Sequence, residues 1–130
     1  GIADLVIWMG DLNYRIDLAR SEVEGAIKSC GEEDMSKLRA SDQLLKAKKE
    51  GKVARGYDEG PLSFPPTYKF DPMSDSYDSS DKARIPAWTD RILFRSREPA
   101  DLELLSYVSC QDVRSSDHRP VTALFEAPSL

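Results

Sequence analysis

Asp4-Leu5-Val6-Ile7-Trp8-Met9-Gly10-Asp11-Leu12-Asn13-Tyr14-Arg15 is the stretch on which the fold turns. Its first six residues form a nearly continuous apolar run with β-branched and aromatic members, stopped by Gly10-Asp11. That pattern predicts a buried strand running out into a loop. Side chains just past a rigid strand can be held in place for chemistry. Asp11 offers a carboxylate for general-base work or for the side of a metal ion. Asn13 offers an amide that can hydrogen-bond a substrate oxygen without adding charge. Gly, Asp and Asn also form ordinary turns, and alone this segment reads first as punctuation at a strand end.

Beyond that strand, residues 17–30 place Leu18, Val23 and Ile27 on one helical face. Ser21 and Glu24 stand at capping-box spacing there, and Gly31 acts as a stop. Residues 34–49 predict a second amphipathic helix, with Met35, Leu38, Leu44 and Leu45 as its stripe and Gly51 beyond its end. Residues 56–86 are rich in Pro, Ser, Asp and Gly and predict a long loop, with room for short strands at 62–64 and 68–70. An ordered loop of that length in a compact domain is usually functional. Three further strands are expected at 90–94, 102–110 and 121–125. A strand, two helices, a long loop and three strands suit an α+β or sandwich arrangement better than regular βαβ alternation.

At 130 residues the chain is at most one domain, with the 40% hydrophobic and 32% charged content of an ordinary globular protein. Its net charge of -5 is spread along the chain, whereas non-specific nucleic-acid binding calls for a basic excess. An anionic ligand must therefore be held by a local cluster. The run from Leu5 to Met9 is far too short to span a bilayer, and there is no secretory pattern. A cytoplasmic location is the expectation. Cys30 and Cys110 lack metal-type spacing and are expected to be reduced, buried thiols. The chain begins without Met and enters the apolar run at once, which leads us to expect an upstream part.

Two more clusters carry chemistry. Ser116-Asp117-His118-Arg119-Pro120 precedes the last strand and holds the single histidine. A lone histidine is more often structural than catalytic, but two carboxylates offer to orient this one. Asp117 adjoins it, and Asp90 opens another strand. A carboxylate-oriented imidazole is what acid–base and phosphate-stabilising sites require. The other cluster is basic: Thr67-Tyr68-Lys69 after a Pro-Pro pair, and Lys82-Ala83-Arg84 before Pro86-Ala87-Trp88-Thr89-Asp90-Arg91. Such side chains can clasp a phosphate, Lys as a point charge and Arg as a fork, or be solvated loop charges.

Taken together, residues 8–15, 66–69, 86–93 and 116–121 resemble, in order and spacing, the signatures of the inositol polyphosphate 5-phosphatases. These are W-x-G-D-x-N-Y-R, P-T-Y-K, P-A-W-T/C-D-R-I/V-L and S-D-H-R-P-V. Each is weak alone; their joint occurrence along nearly the whole chain is specific.

The resemblance implies an α+β fold, part of a DNase I-like (endonuclease/exonuclease/phosphatase) β-sandwich flanked by helices. It implies Mg²⁺-dependent removal of the 5-phosphate from phosphoinositides, such as phosphatidylinositol 4,5-bisphosphate, or from soluble inositol polyphosphates. By matching positions, Asp11 orients or deprotonates the attacking water and Asn13 binds the scissile phosphate. His118 contacts a non-bridging phosphate oxygen, and Asp90 hydrogen-bonds His118. Asp117 lies close to the metal, while Tyr68, Lys69, Lys82 and Arg84 grip the neighbouring 4-phosphate. The resemblance also implies that residues 1–130 are the C-terminal portion of a catalytic domain whose principal Mg²⁺ ligands lie upstream, so that this piece is inactive alone. A peripheral membrane surface follows from a lipid substrate. The alternatives are a nuclease of the same fold and a non-catalytic binding module.

Overall fold

The computed structural model describes residues 5–98 and 101–127. In chain order its elements are β1 (Leu5–Asp11), α1 (Arg20–Ser29), α2 (Glu32–Ala40), α3 (Gln43–Lys49), β2 (Asp58–Glu59), β3 (Asp90–Ser96), β4 (Glu103–Ser109) and β5 (Val121–Glu126). β3 is the middle strand of a sheet ordered β1-β3-β2, antiparallel to both neighbours. Its centre is buried at Arg91, Ile92 and Leu93, as a strand covered on both faces must be. β4 and β5 form a second, antiparallel pair with an irregularity between Leu104 and Ser106. The two sheets face each other, and Phe94 meets Phe125 edge to face at 5.0 Å. Ile92, Trp88, Phe64 and Tyr107 sit in the core between them, with Val23 of α1 and Leu38 of α2 closing it.

Most of the expected elements form, with instructive shifts. β1 is not the buried strand expected: it lies at the edge of the sheet among the described residues, and Ile7, Trp8 and Met9 are exposed. Asp4 of the expected first strand lies outside the described residues, and β1 runs on to Asp11 because each of its residues finds a partner on β3. α1 starts at Arg20 behind Ala19, so Ser21 lies inside the first turn and no side chain caps it. The Ser21–Glu24 capping box is not made; Glu24 pairs with Arg20 instead, at 3.0 Å. The stop is Cys30, in the left-handed conformation at φ 55, and Gly31 opens α2.

The single helix expected over residues 34–49 is two helices. Asp42 breaks it: its carboxylate accepts the Leu45 N–H at 2.9 Å, capping α3, and also receives a guanidinium from β3. Residues 62–64 and 68–70 form no strands. Asp58–Glu59 pairs with β3 instead, and Tyr68 makes isolated bridges to Ala87 and His118. Both cysteines are free, but neither is buried: Cys30 is exposed and Cys110 half-buried.

Candidate active site

The site begins where β1 ends and β3 starts. The antiparallel register sets Asp11 directly opposite Asp90. Gly10, at φ +140, takes a backbone conformation that side chains rarely permit, one residue before Asp11. The chain then turns back onto β3: Leu12 and Asn13 N–H both donate to the Thr89 carbonyl, at 2.8 and 3.3 Å. Asn13 is left-handed at φ 61, and its N–H donates to Asp11 Oδ1 at 3.0 Å. That Asx turn presents Asp11 and Asn13 side by side.

His118 arrives from the segment before β5. Its N–H donates to Ser116 Oγ at 3.1 Å, and the flanking backbone is tied to the long loop by Phe70 N–H to Asp117 O and Arg119 N–H to Thr67 O. The imidazole Nδ1 lies 2.6 Å from Asp90 Oδ2. Asp117 Oδ1 is 3.9 Å from the other ring nitrogen, Nε2. Of the two carboxylates the sequence offered, Asp90 is therefore the orienting partner. Asp11, Asp90 and His118 bring their polar atoms within 4.8 Å of one another. A cleft of about 410 Å³ opens at Asp90 and His118, lined also by Met9, Ser116 and Pro120.

The basic residues divide into three positions. Tyr68 packs on His118 with ring centroids 4.7 Å apart, joining the Asp11–Asp90–His118 cluster. Lys82 and Arg84 line a second cleft of about 480 Å³ together with Arg15. Lys69 is not free: its ammonium lies 3.7 Å from the buried carboxylate of Asp78. Among the described residues, no carboxylate pairs with Arg15, Lys82 or Arg84.

Arg15 is a residue to which sequence reasoning gave no role. Its Nη2 donates to Asn13 Oδ1 at 2.5 Å, and its guanidinium lies 4.9 Å over the Tyr68 ring. With Oδ1 occupied, the Asn13 amide keeps its NH₂ group free to donate to an anion. The signal available was an arginine two residues past Asn13 in a strand-ending turn. Asp78 was also missed. It accepts N–H groups from Ser80 and Arg84 at 2.9 and 2.8 Å. Ser80 and the Arg84 N–H hold its carboxyl well below the usual carboxylate range.

The chain matches the model of the Endonuclease/Exonuclease/phosphatase family 2 over residues 2–124. It belongs to that family. Among its relatives are a Caenorhabditis elegans protein named synaptojanin, 47% identical over 98% of this chain and 11% of the relative. The mouse phosphatidylinositol polyphosphate 5-phosphatase type IV is 43% identical over 95% of this chain and 19% of the relative. The chain thus spans a small part of the curated relatives it matches.

Two solved structures of the same fold are informative. The inositol polyphosphate 5-phosphatase domain of SPsynaptojanin, in complex with inositol (1,4)-bisphosphate and calcium ion, matches with a TM-score of 0.84 at 45% identity, covering 95% of this chain and 36% of that one. Cimex nitrophorin, in a ferrous NO complex, matches with a TM-score of 0.83 at 37% identity, covering 95% of this chain and 41% of that one. The α+β sandwich described above is part of this family's DNase I-like fold.

The residues in hand do not by themselves fit a hard divalent cation. Mg²⁺ demands six oxygen ligands in near-octahedral array. Here Asp90 Oδ2 is taken by His118 and the Thr89 hydroxyl, and Asp11 Oδ1 by the Asn13 N–H. Asp11 keeps one free oxygen, and Asp117 lies next door without joining the close group.

Proposed function

We propose that the protein carrying this chain hydrolyses the 5-phosphate of a phosphoinositide or a soluble inositol polyphosphate. The observation that carries this reading is the imidazole of His118, held by Asp90 within 4.8 Å of Asp11. Beside it lies a cleft whose cations, Arg15, Lys82 and Arg84, have no carboxylate partner among the described residues.

In this reading Asp11 orients the attacking water and accepts its proton as the water oxygen bonds to phosphorus. The bond from phosphorus to the inositol 5-oxygen breaks, and that oxygen takes up a proton from solvent. The Asn13 amide donates to a non-bridging oxygen of the scissile group. With Nδ1–H given to Asp90, His118 needs a second proton on Nε2, and it donates that N–H to another such oxygen, where charge is differently distributed in the transition state. Tyr68, Lys69, Lys82 and Arg84 receive the neighbouring 4-phosphate, which selects for ring-phosphorylated inositols. Asp117 would stand near the metal. Mg²⁺ is the proposed cofactor, with its principal ligands upstream of this chain, which we read as the C-terminal portion of the catalytic domain.

A lipid substrate places the protein at a cytoplasmic membrane face as a peripheral visitor. No helix among the described residues is long and apolar enough to cross a bilayer. The acidic charge balance argues against nucleic acid as substrate. The likeness to Cimex nitrophorin favours a second reading, in which the fold serves a non-hydrolytic binding role. Phosphate release from an inositol lipid by the full-length protein, run beside nicking of plasmid DNA, separates all three readings. Phosphate release without nicking is the expected result; nicking would make it a nuclease, and neither activity a binding module.

A further inference from the structure

Asp78 is a carboxylate built into the basic side of the site, and it is 1% exposed. Its Oδ1 accepts the N–H of Ser80 at 2.9 Å and its Oδ2 the N–H of Arg84 at 2.8 Å. Lys69 Nζ lies 3.7 Å from Oδ2. The Asp78 backbone is fixed as well: its N–H donates to Lys69 O at 2.8 Å, and its carbonyl accepts from Arg20 Nη2 at 2.5 Å. Between the two gripped amides runs a tight turn, closed by Ala83 N–H to Ser80 O at 3.0 Å, with Ala83 in the left-handed region at φ 44. Lys82 and Arg84 are exposed at the end of that turn and face Arg15 across the cleft.

We propose that Asp78 is a positioning residue for specificity: it fixes Lys82 and Arg84 at one spacing, holds Lys69 beside them, and so sets the preference for an inositol with a phosphate next to the scissile one. The inference rests on the 5-phosphatase reading above, which it deepens. A carboxylate suits the task because it accepts two N–H bonds and balances an ammonium at once. An amide in its place offers one oxygen and sets an NH₂ group against a backbone N–H. Two exposed cations on an unsecured turn would have to be ordered by the ligand itself, which costs affinity. What Asp78 organises is this exposed turn and not the apolar core, so its loss belongs in substrate choice more than in global stability.

Full-length wild type, Asp78→Asn and Asp78→Glu are to be compared on 4,5-bisphosphate and 5-phosphate inositol head groups, with kcat and KM separated. The expected result is a fall of roughly tenfold in the ratio of kcat/KM for the two head groups in Asp78→Asn, about one charged hydrogen bond's worth. It should lie in KM, with a smaller fall in Asp78→Glu, which keeps the charge beside Lys69. The amide resonances of Ser80 and Arg84 should move while those of β1 and β3 stay in place. An equal loss on both head groups, or an unaltered ratio with a selective wild type, overturns the inference and leaves the 5-phosphatase reading standing. A wild type that releases no phosphate from either head group overturns both. If Asp78→Asn does not accumulate as folded protein, Asp78→Glu alone decides: an unaltered ratio there with displaced Ser80 and Arg84 amides overturns the proposal.

Discussion

At 2.6 Å from Asp90 Oδ2, His118 Nδ1 can do little but donate its proton to that carboxylate, which leaves Nε2 as the working atom. The Tyr68 ring at 4.7 Å and the Ser116 hydroxyl on the His118 N–H keep the imidazole from turning away. Asp90→Asn would preserve shape but remove the negative charge that supports an imidazole carrying a proton on both nitrogens. The expected outcome is a fall in kcat of about 10²–10⁴-fold, the range for a positioned acid–base group, with KM little altered. Steady-state kinetics on an inositol bisphosphate checks it; a change confined to KM would reassign Asp90 to substrate binding. The sequence pointed to both Asp117 and Asp90 as partners of His118, and matching family positions chose Asp90. Spacing alone had no means to choose, because the pairing is made across two sheets.

Elements meet the site through one guanidinium. Arg91 is fully buried on β3, with Nη1 at 2.9 Å from both Asp42 oxygens and Nε and Nη2 at 2.7 and 2.8 Å from Glu59 of β2. Tyr107 of β4 donates to the same Glu59 at 2.6 Å and accepts the Ile92 N–H at 3.1 Å. β3, α3, β2 and β4 are thereby tied together next to Asp90. Asp42→Ala removes the α3 cap and leaves Arg91 with one of its two carboxylate partners. The expected cost is about 3–5 kcal/mol, that of breaking a buried ion pair, read by urea unfolding. A loss within the range of an exposed surface pair, about 1 kcal/mol or less, would show that the clamp does not hold these elements.

The same clamp explains what was illegible in the sequence. Strands β1, β3, β4 and β5 were readable because short apolar, β-branched runs leave few other options. The break at Asp42 was not, because Leu38, Leu44 and Leu45 continue a plausible helical stripe and the residue that decides is Arg91, 49 positions away. The strand at Asp58–Glu59 was invisible for the same reason: Glu59 is drawn to β3 by Arg91.

Across the whole molecule, the long loop of residues 56–86 is not slack but docked, and this has a pH signature. Tyr77 donates its hydroxyl to the Pro66 carbonyl at 2.7 Å, inside that loop, and Tyr107 to Glu59. Burial pushes both phenols above the ordinary tyrosine value. A group with a raised folded pKa contributes stability that is fully present below its unfolded value, about 10. That contribution is lost as pH climbs toward the folded values. Alkaline titration followed by phenolate absorbance should therefore show two of the five tyrosines ionising late and together with unfolding. Five independent titrations near the ordinary value would mean that the loop is not docked.

Two sheets and one docked loop bring Asp11, Asn13, Asp90 and His118 together at the place where we propose that hydrolysis occurs. The most direct test is kcat and KM of full-length His118→Ala against wild type on a 4,5-bisphosphate head group, with Mg²⁺ supplied. Because the Nε2 contact is expected to strengthen in the transition state, kcat should fall about 10²–10³-fold while KM hardly moves. An unaltered kcat with KM alone raised would contradict the account and make His118 a binding residue.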